Sequence, residues 1–172
     1  MATTSAQAPS VLTLAVPQQA EAIGRARHAV RDVLTEHSWP DELIDTVVLV
    51  VSELVSNAVR HGRPPIELRL QVIPGFAAGR VSDRSLAMPV PVETDDDAES
   101  GRGLAIVQAM TSRWGTLPLP ERGGKAVWFE FRHPPDHADL PSLGPLLRGV
   151  PGLGSSCFRG DLNAPSFGSR FN

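Results

Sequence analysis

The sequence predicts an α+β fold: a two-layer α/β sandwich in which helices pack on one face of a mixed, mostly antiparallel sheet. Two segments, 20–36 and 40–61, repeat apolar residues at three- and four-residue steps, as amphipathic helices do. A third, 66–72, alternates apolar with polar residues, as a strand with one wet face does. The predicted order is strand, helix, helix, strand, strand, long loop, helix, strand, so the helices interrupt the strands rather than alternate with them.

Each element has its own signal. From Val11 to Val16 apolar residues alternate with Thr or Ala, and Pro17 closes a short strand. Ile23, Ala26, Val30, Val33 and Leu34 form the apolar stripe of the first helix, with Glu21, Arg25, Arg31 and Asp32 on its wetter side. The second helix opens at Pro40, whose missing N–H costs nothing in a first turn. Asp41 and Glu42 suit the positive end of its dipole, and Gly62 stops it. Its stripe of Leu43, Val47, Val50, Leu54 and Ala58 is widened by Val48, Leu49, Val51 and Val55, which implies burial on more than one side and a central position. Arg63-Pro64-Pro65 forces a break before the strand built on Ile66, Leu68, Leu70 and Val72. Pro74-Gly75 reads as a turn into a weaker strand that runs through Val81 and ends at Asp83. Residues 84–100 carry Pro89, Pro91 and the acidic run Glu93, Asp95, Asp96, Asp97 and Glu99, and are expected to form a long exposed loop without a metal. A third helix is expected from Gly101 to Trp114 on Leu104, Val107, Ala109 and Met110. A last strand, Ala126 to Phe131, follows the Gly123-Gly124 turn.

These elements define one domain over residues 11–132, with residues 1–10 as a flexible N-terminus. The last 40 residues, 133–172, hold six prolines and six glycines, a content that predicts a disordered tail. A chain of 172 residues, 41% hydrophobic, suits one core. A net charge of −3 offers no basic surface for nucleic acid. Cys157, the only cysteine, excludes an internal disulfide framework and a Cys-based zinc site, and fits a reducing, cytoplasmic setting. Met1 to Ser10 lack a secretory signal, and no apolar run approaches the roughly 20 residues that span a bilayer.

Glu53 and Asn57, four apart on the second helix, point the same way, with Arg60 and His61 continuing that face. Such a polar stripe suits a hard cation held against phosphate oxygens, since magnesium prefers oxygen ligands while a carboxylate orients or deprotonates a nucleophile. For an isolated pair, plain solvation of an outer helix face is the more ordinary explanation, and the setting decides. Asp83, where a strand gives way to a loop, can accept a hydrogen bond from the amine of adenine or simply start a turn. Gly101-Arg102-Gly103 opens a helix whose bare N–H groups and dipole can face phosphate. His61 is expected to cap the carbonyls at the end of the second helix. There is no Walker-type phosphate loop, and Gly101-Arg102-Gly103 does not follow a strand as a dinucleotide fold requires.

Taken together, Glu53-Leu54-Val55-Ser56-Asn57-Ala58-Val59-Arg60-His61-Gly62, Val81-Ser82-Asp83, Gly101-Arg102-Gly103-Leu104, Gly123-Gly124-Lys125 and Trp128-Phe129-Glu130 resemble, in order and spacing, the GHKL ATPase superfamily. Within it the chain is similar to anti-sigma serine kinases of the RsbW and SpoIIAB type and to short ATP-binding proteins of actinobacteria. The resemblance covers about residues 11–132 and implies ATP and Mg2+ as ligands. Asn57 would hold the metal, Glu53 would act as general base and Asp83 would recognise adenine. Gly101, Arg102, Gly103, Leu104 and Lys125 would lie about the nucleotide, and residues 84–100 would form a lid. It also implies transfer of phosphate to a serine of a STAS-type anti-anti-sigma protein, competition with a sigma factor for the kinase, and a homodimer. Two departures stand out: Arg84-Ser85 follows Asp83 where glycines are frequent, and Ala126 replaces a threonine whose hydroxyl could support the base-binding carboxylate. A module that binds ATP and sequesters a sigma factor or another regulator without catalysis is the alternative. The catalytic half of a sensor histidine kinase is disfavoured by the lack of a helical dimerisation segment before residue 11 and of a membrane span.

Overall fold

The computed structural model describes residues 8–87 and 102–133. Its elements run β1 (Ser10–Val16), α1 (Glu21–Glu36), α2 (Asp41–His61), β2 (Ile66–Ile73), β3 (Phe76–Asp83), α3 (Arg102–Met110), β4 (Arg113–Pro118) and β5 (Lys125–Arg132). The five strands form one sheet in the order β1-β2-β3-β5-β4, and every neighbouring pair is antiparallel. The expectation of a mixed sheet is thus corrected to a wholly antiparallel one among the described strands.

Register decides what each face carries, because side chains alternate across a strand. Leu14, Leu68, Val81 and Val127 share one face, as do Leu12, Leu70, Gly79 and Phe129. Leu68, Leu70, Val81, Val127 and Phe129 join Ala26, Val30 and Leu34 of α1, Val47, Val50, Val51 and Leu54 of α2, and Leu104 and Val107 of α3 in the hydrophobic core. Helices on one side of a sheet, as predicted, make the two layers. Gly79 is required there: a methyl group on it would stand 2.5 Å from Cζ of the fully buried Phe129. The opposite face carries Arg69, Arg80 and Trp128 in one row. Arg80 is nearly buried, and that burial, with a smaller contribution from neighbouring Arg69, lowers its pKa against the raising effect of Glu67.

Local chemistry sets the boundaries. α1 ends in a Schellman motif, with the Trp39 N–H donating to Leu34 O at 3.1 Å, the Ser38 N–H donating to Thr35 O at 2.9 Å, and Ser38 left-handed at φ 55°. Trp39 and Leu34 both enter the core, as that motif favours. Pro40 is the N-cap of α2, one position before the helix proper, and Gly62 caps its end. On α2 the inward stripe holds Ile44, while Leu43 is half-buried and Leu49, expected inside, is exposed. Pro74 and Gly75, the latter at φ 74°, join β2 to β3 in the arrangement of a type II turn.

The third helix is shorter than expected. It stops at Met110, where the hydroxyl of Thr111 turns back to Val107 O at 2.7 Å and the Ser112 N–H donates to Glu130 O at 2.9 Å, starting the pairing of β4 with β5. Trp114, expected to end that helix, lies in β4, a strand the sequence reading lacks. Ala109 and Met110 lie on the exposed side of α3 rather than in the core. The expected loop enters this structure only through residues 84–87. Its acidic run, Gly101, the N-terminus to residue 7 and the tail beyond His133 lie outside the described residues.

Candidate functional site

α2 is apolar on the sides it buries, and its last two turns keep a polar exception in half-buried Glu53 and Asn57. α3 meets this pair with its first turn. A methyl group on Gly103 would stand 2.9 Å from Glu53 Oε2 and 3.0 Å from Asn57 Nδ2, so only glycine lets the helix start approach both side chains. Arg102 begins α3, and Leu104 is buried in the core, where it anchors that turn. Carboxylate, amide and helix N-terminus therefore converge, and the donor set is what a magnesium-bound phosphate needs: an amide oxygen, a carboxylate and bare N–H groups.

A second group gathers one turn further along, at the end of β3. The Asp83 carboxylate is buried. Its Oδ1 accepts the Ser85 N–H at 2.6 Å and the Arg63 N–H at 3.4 Å. Lys125, opposite Asp83 in register, brings Nζ to 3.1 Å from Oδ1 and 3.0 Å from Oδ2. Asp83 thus makes the Asx-type turn its position suggests, which fixes the orientation of the carboxylate. Although no glycine follows Asp83, the Ser85 N–H holds it firmly. One glycine lies against the carboxylate and another against the backbone behind it: a methyl group on Gly62 would meet Asp83 Cγ at 2.9 Å, and one on Gly124, whose φ is 146°, would strike the backbone carbonyl of Asp83. Asp83 thus sits in a tight, buried setting between these glycines, with the Lys125 ammonium against both its oxygens.

The register also corrects the reading of Ala126. It pairs with Ser82, so it lies on the other face of the sheet, and the residue that faces Asp83 is Lys125. His61 is exposed and does not cap α2; the Gln18 side chain does, with Nε2 donating to Val59 O at 3.0 Å and to Gly62 O at 3.2 Å. Gln18, Arg63 and Ser85 carry no motif, and only the tertiary fold brings them here. Among the described residues no cluster of three His, Cys, Asp or Glu side chains could hold a metal ion alone, and no helix is long and apolar enough to cross a membrane.

A family model described as a histidine kinase-like ATPase domain matches residues 16–131 of this chain. Among solved structures, that of the RsbU and RsbW domains of Rv1364c from Mycobacterium tuberculosis is similar at 22% identity and a TM-score of 0.56, over 72% of this chain and 32% of that one. At that identity the likeness is one of fold, and this chain spans about a third of that structure's length. The histidine kinase domain of a blue-light activated histidine kinase, EL346 from Erythrobacter litoralis, is similar at 19% identity and a TM-score of 0.42, over 66% of this chain and 60% of that one. No curated protein matches the sequence.

Proposed function

Because the chain belongs to the histidine kinase-like ATPase domain family, we propose that it binds Mg-ATP and transfers the γ-phosphate to a serine of a STAS-type anti-anti-sigma protein, regulating transcription by partner switching with a sigma factor. The observation that carries this reading is the meeting of Glu53, Asn57 and the glycine start of α3 at one place, beside buried Asp83. Asp83 receives the adenine amine. Asn57 Oδ1 holds magnesium, which when bound neutralises charge spread over the phosphates. The N-terminus of α3, with Gly103 and Arg102 and with Gly101 before it, faces the phosphate oxygens, and Leu104 keeps that turn in place.

Glu53 takes the proton of the attacking serine hydroxyl as its oxygen bonds to the γ-phosphorus and the bond to the β-phosphate oxygen breaks, leaving ADP and a phosphoserine. Positioning, electrostatic stabilisation at the α3 N-terminus and one proton transfer make up the contribution of the protein. Loss of a general base costs about 10²- to 10⁴-fold in rate. Labelled γ-phosphate is therefore expected on the partner's serine, with transfer falling by that factor in Glu53→Gln while ATP affinity changes little. Undiminished labelling in Glu53→Gln would overturn the catalytic role.

The alternative, a non-catalytic module that binds ATP and sequesters a sigma factor, draws support from the same contact. Gly103 packs closely on half-buried Glu53 and Asn57, which narrows the room beside the carboxylate for an attacking serine. Capture of a sigma factor by Asn57→Ala as well as by the wild type, with no phosphoserine formed, would favour it.

A further inference from the structure

The buried pair of Asp83 and Lys125 is left with one unused bond on each side. Oδ1 is crowded by the Ser85 and Arg63 N–H groups and by Lys125, whereas Oδ2 meets Lys125 alone among the described residues. A carboxylate oxygen has two lone pairs, so one on Oδ2 stays open. The ammonium has three donors, and the carboxylate engages two. No third acceptor meets Nζ among the described residues, although Lys125 is only 7% exposed. A spare donor on a buried cation is costly unless something satisfies it.

The geometry points to Lys125 as a specificity-determining residue that reads the purine edge together with Asp83. This rests on the nucleotide reading above. Asp83 Oδ2 accepts from the exocyclic amine, and the third Nζ–H donates to the ring nitrogen beside that amine. Adenine offers this pattern, one donor flanked by two acceptors, N1 and N7. Lys125 thereby does for the base what a threonine at 126 cannot do from the far face of β5. The competing role is that of a plug, in which Lys125 neutralises Asp83 and must leave before a base can enter. The two roles predict opposite signs for its removal.

Calorimetric affinities of the full chain for ATP, 1-deaza-ATP and 7-deaza-ATP, in the wild type, Lys125→Met and Lys125→Arg, decide between them. One of the two analogues is expected to bind the wild type about tenfold more weakly than ATP, the loss of one hydrogen bond from a charged donor. Lys125→Met should bind ATP and that analogue alike, and Lys125→Arg should restore part of the difference. Both analogues binding the wild type as ATP does, or a tighter ATP complex in Lys125→Met, would overturn the proposal. Should Lys125→Met fail to fold, the wild-type comparison decides alone. If the wild type binds no ATP, the nucleotide reading falls and takes this role with it. ATP binding without discrimination between the analogues removes the Lys125 role only.

Discussion

Asp83 joins the stability of this domain to its chemistry, since the same buried carboxylate that would meet a base also neutralises Lys125 across the β3–β5 ladder. Removing one partner of a buried pair strands the other, at a cost of about 3–5 kcal/mol. Asp83→Ala is expected to lose that much stability in a denaturant titration, because buried Lys125 would be left without its partner. A loss under 1 kcal/mol would show the pair to be solvated. Gly124→Ala tests the tight setting itself: with φ at 146° and a methyl group driven against Asp83 O, it is expected to cost about 3 kcal/mol or more. An unchanged melting midpoint would contradict the close approach. Glu53, Asn57, Gly62 and Asp83 were legible in the sequence because each sits in a local pattern, such as a polar pair one helical turn apart or an acid where a strand ends. Lys125 as the partner of Asp83, and Gln18 as the cap of α2, were not, because both follow from strand register and chain return over about 40 residues.

Among the elements, α1, α2, β2 and β3 were readable because their apolar periods are long and uninterrupted. β4 was not. Its two large apolar residues, Trp114 and Leu117, pair with Phe129 and Ala126 on opposite faces, so no alternation survives, and Gly115 is small because Trp128 covers it, with a methyl group there meeting the indole at 2.9 Å. The end of α3 was lost for the same reason: a helical step linked Met110 to Trp114 until Thr111 and Ser112 turned the chain into the sheet. The α1–α2 corner offers a test at this scale. Ser38 holds the left-handed position that glycine occupies without strain, which costs an ordinary residue about 1–2 kcal/mol. Ser38→Gly is expected to stabilise the domain by about 0.5–1 kcal/mol, the gain being reduced by the greater freedom of glycine in the unfolded chain. A destabilised variant would mean that the serine side chain supports the turn. Phe129→Ala should cost about 3–5 kcal/mol, since the ring is wholly buried over Gly79, and a cost below 1 kcal/mol in thermal melts would contradict that packing.

For the whole molecule, two features matter: among the described residues the buried core runs from Val16 to Phe131, and the family match covers nearly the same span. The described fold ends at His133, so a chain ending at Ala138 is expected to melt in one cooperative transition near the wild-type midpoint. A broad or absent transition would assign part of the fold to residues 139–172. The central claim is that the face formed by Glu53, Asn57, Gly103 and Asp83 receives Mg-ATP, and ligand-linked stability tests it most directly. A ligand at 100 times its dissociation constant stabilises the native state by about 2.7 kcal/mol. Titration calorimetry with Mg-ATP, paired with melts at saturation, should give one binding event and that order of stabilisation in the wild type, with both much reduced in Asn57→Ala. Absence of heat and of any melting shift in the wild type would contradict the account.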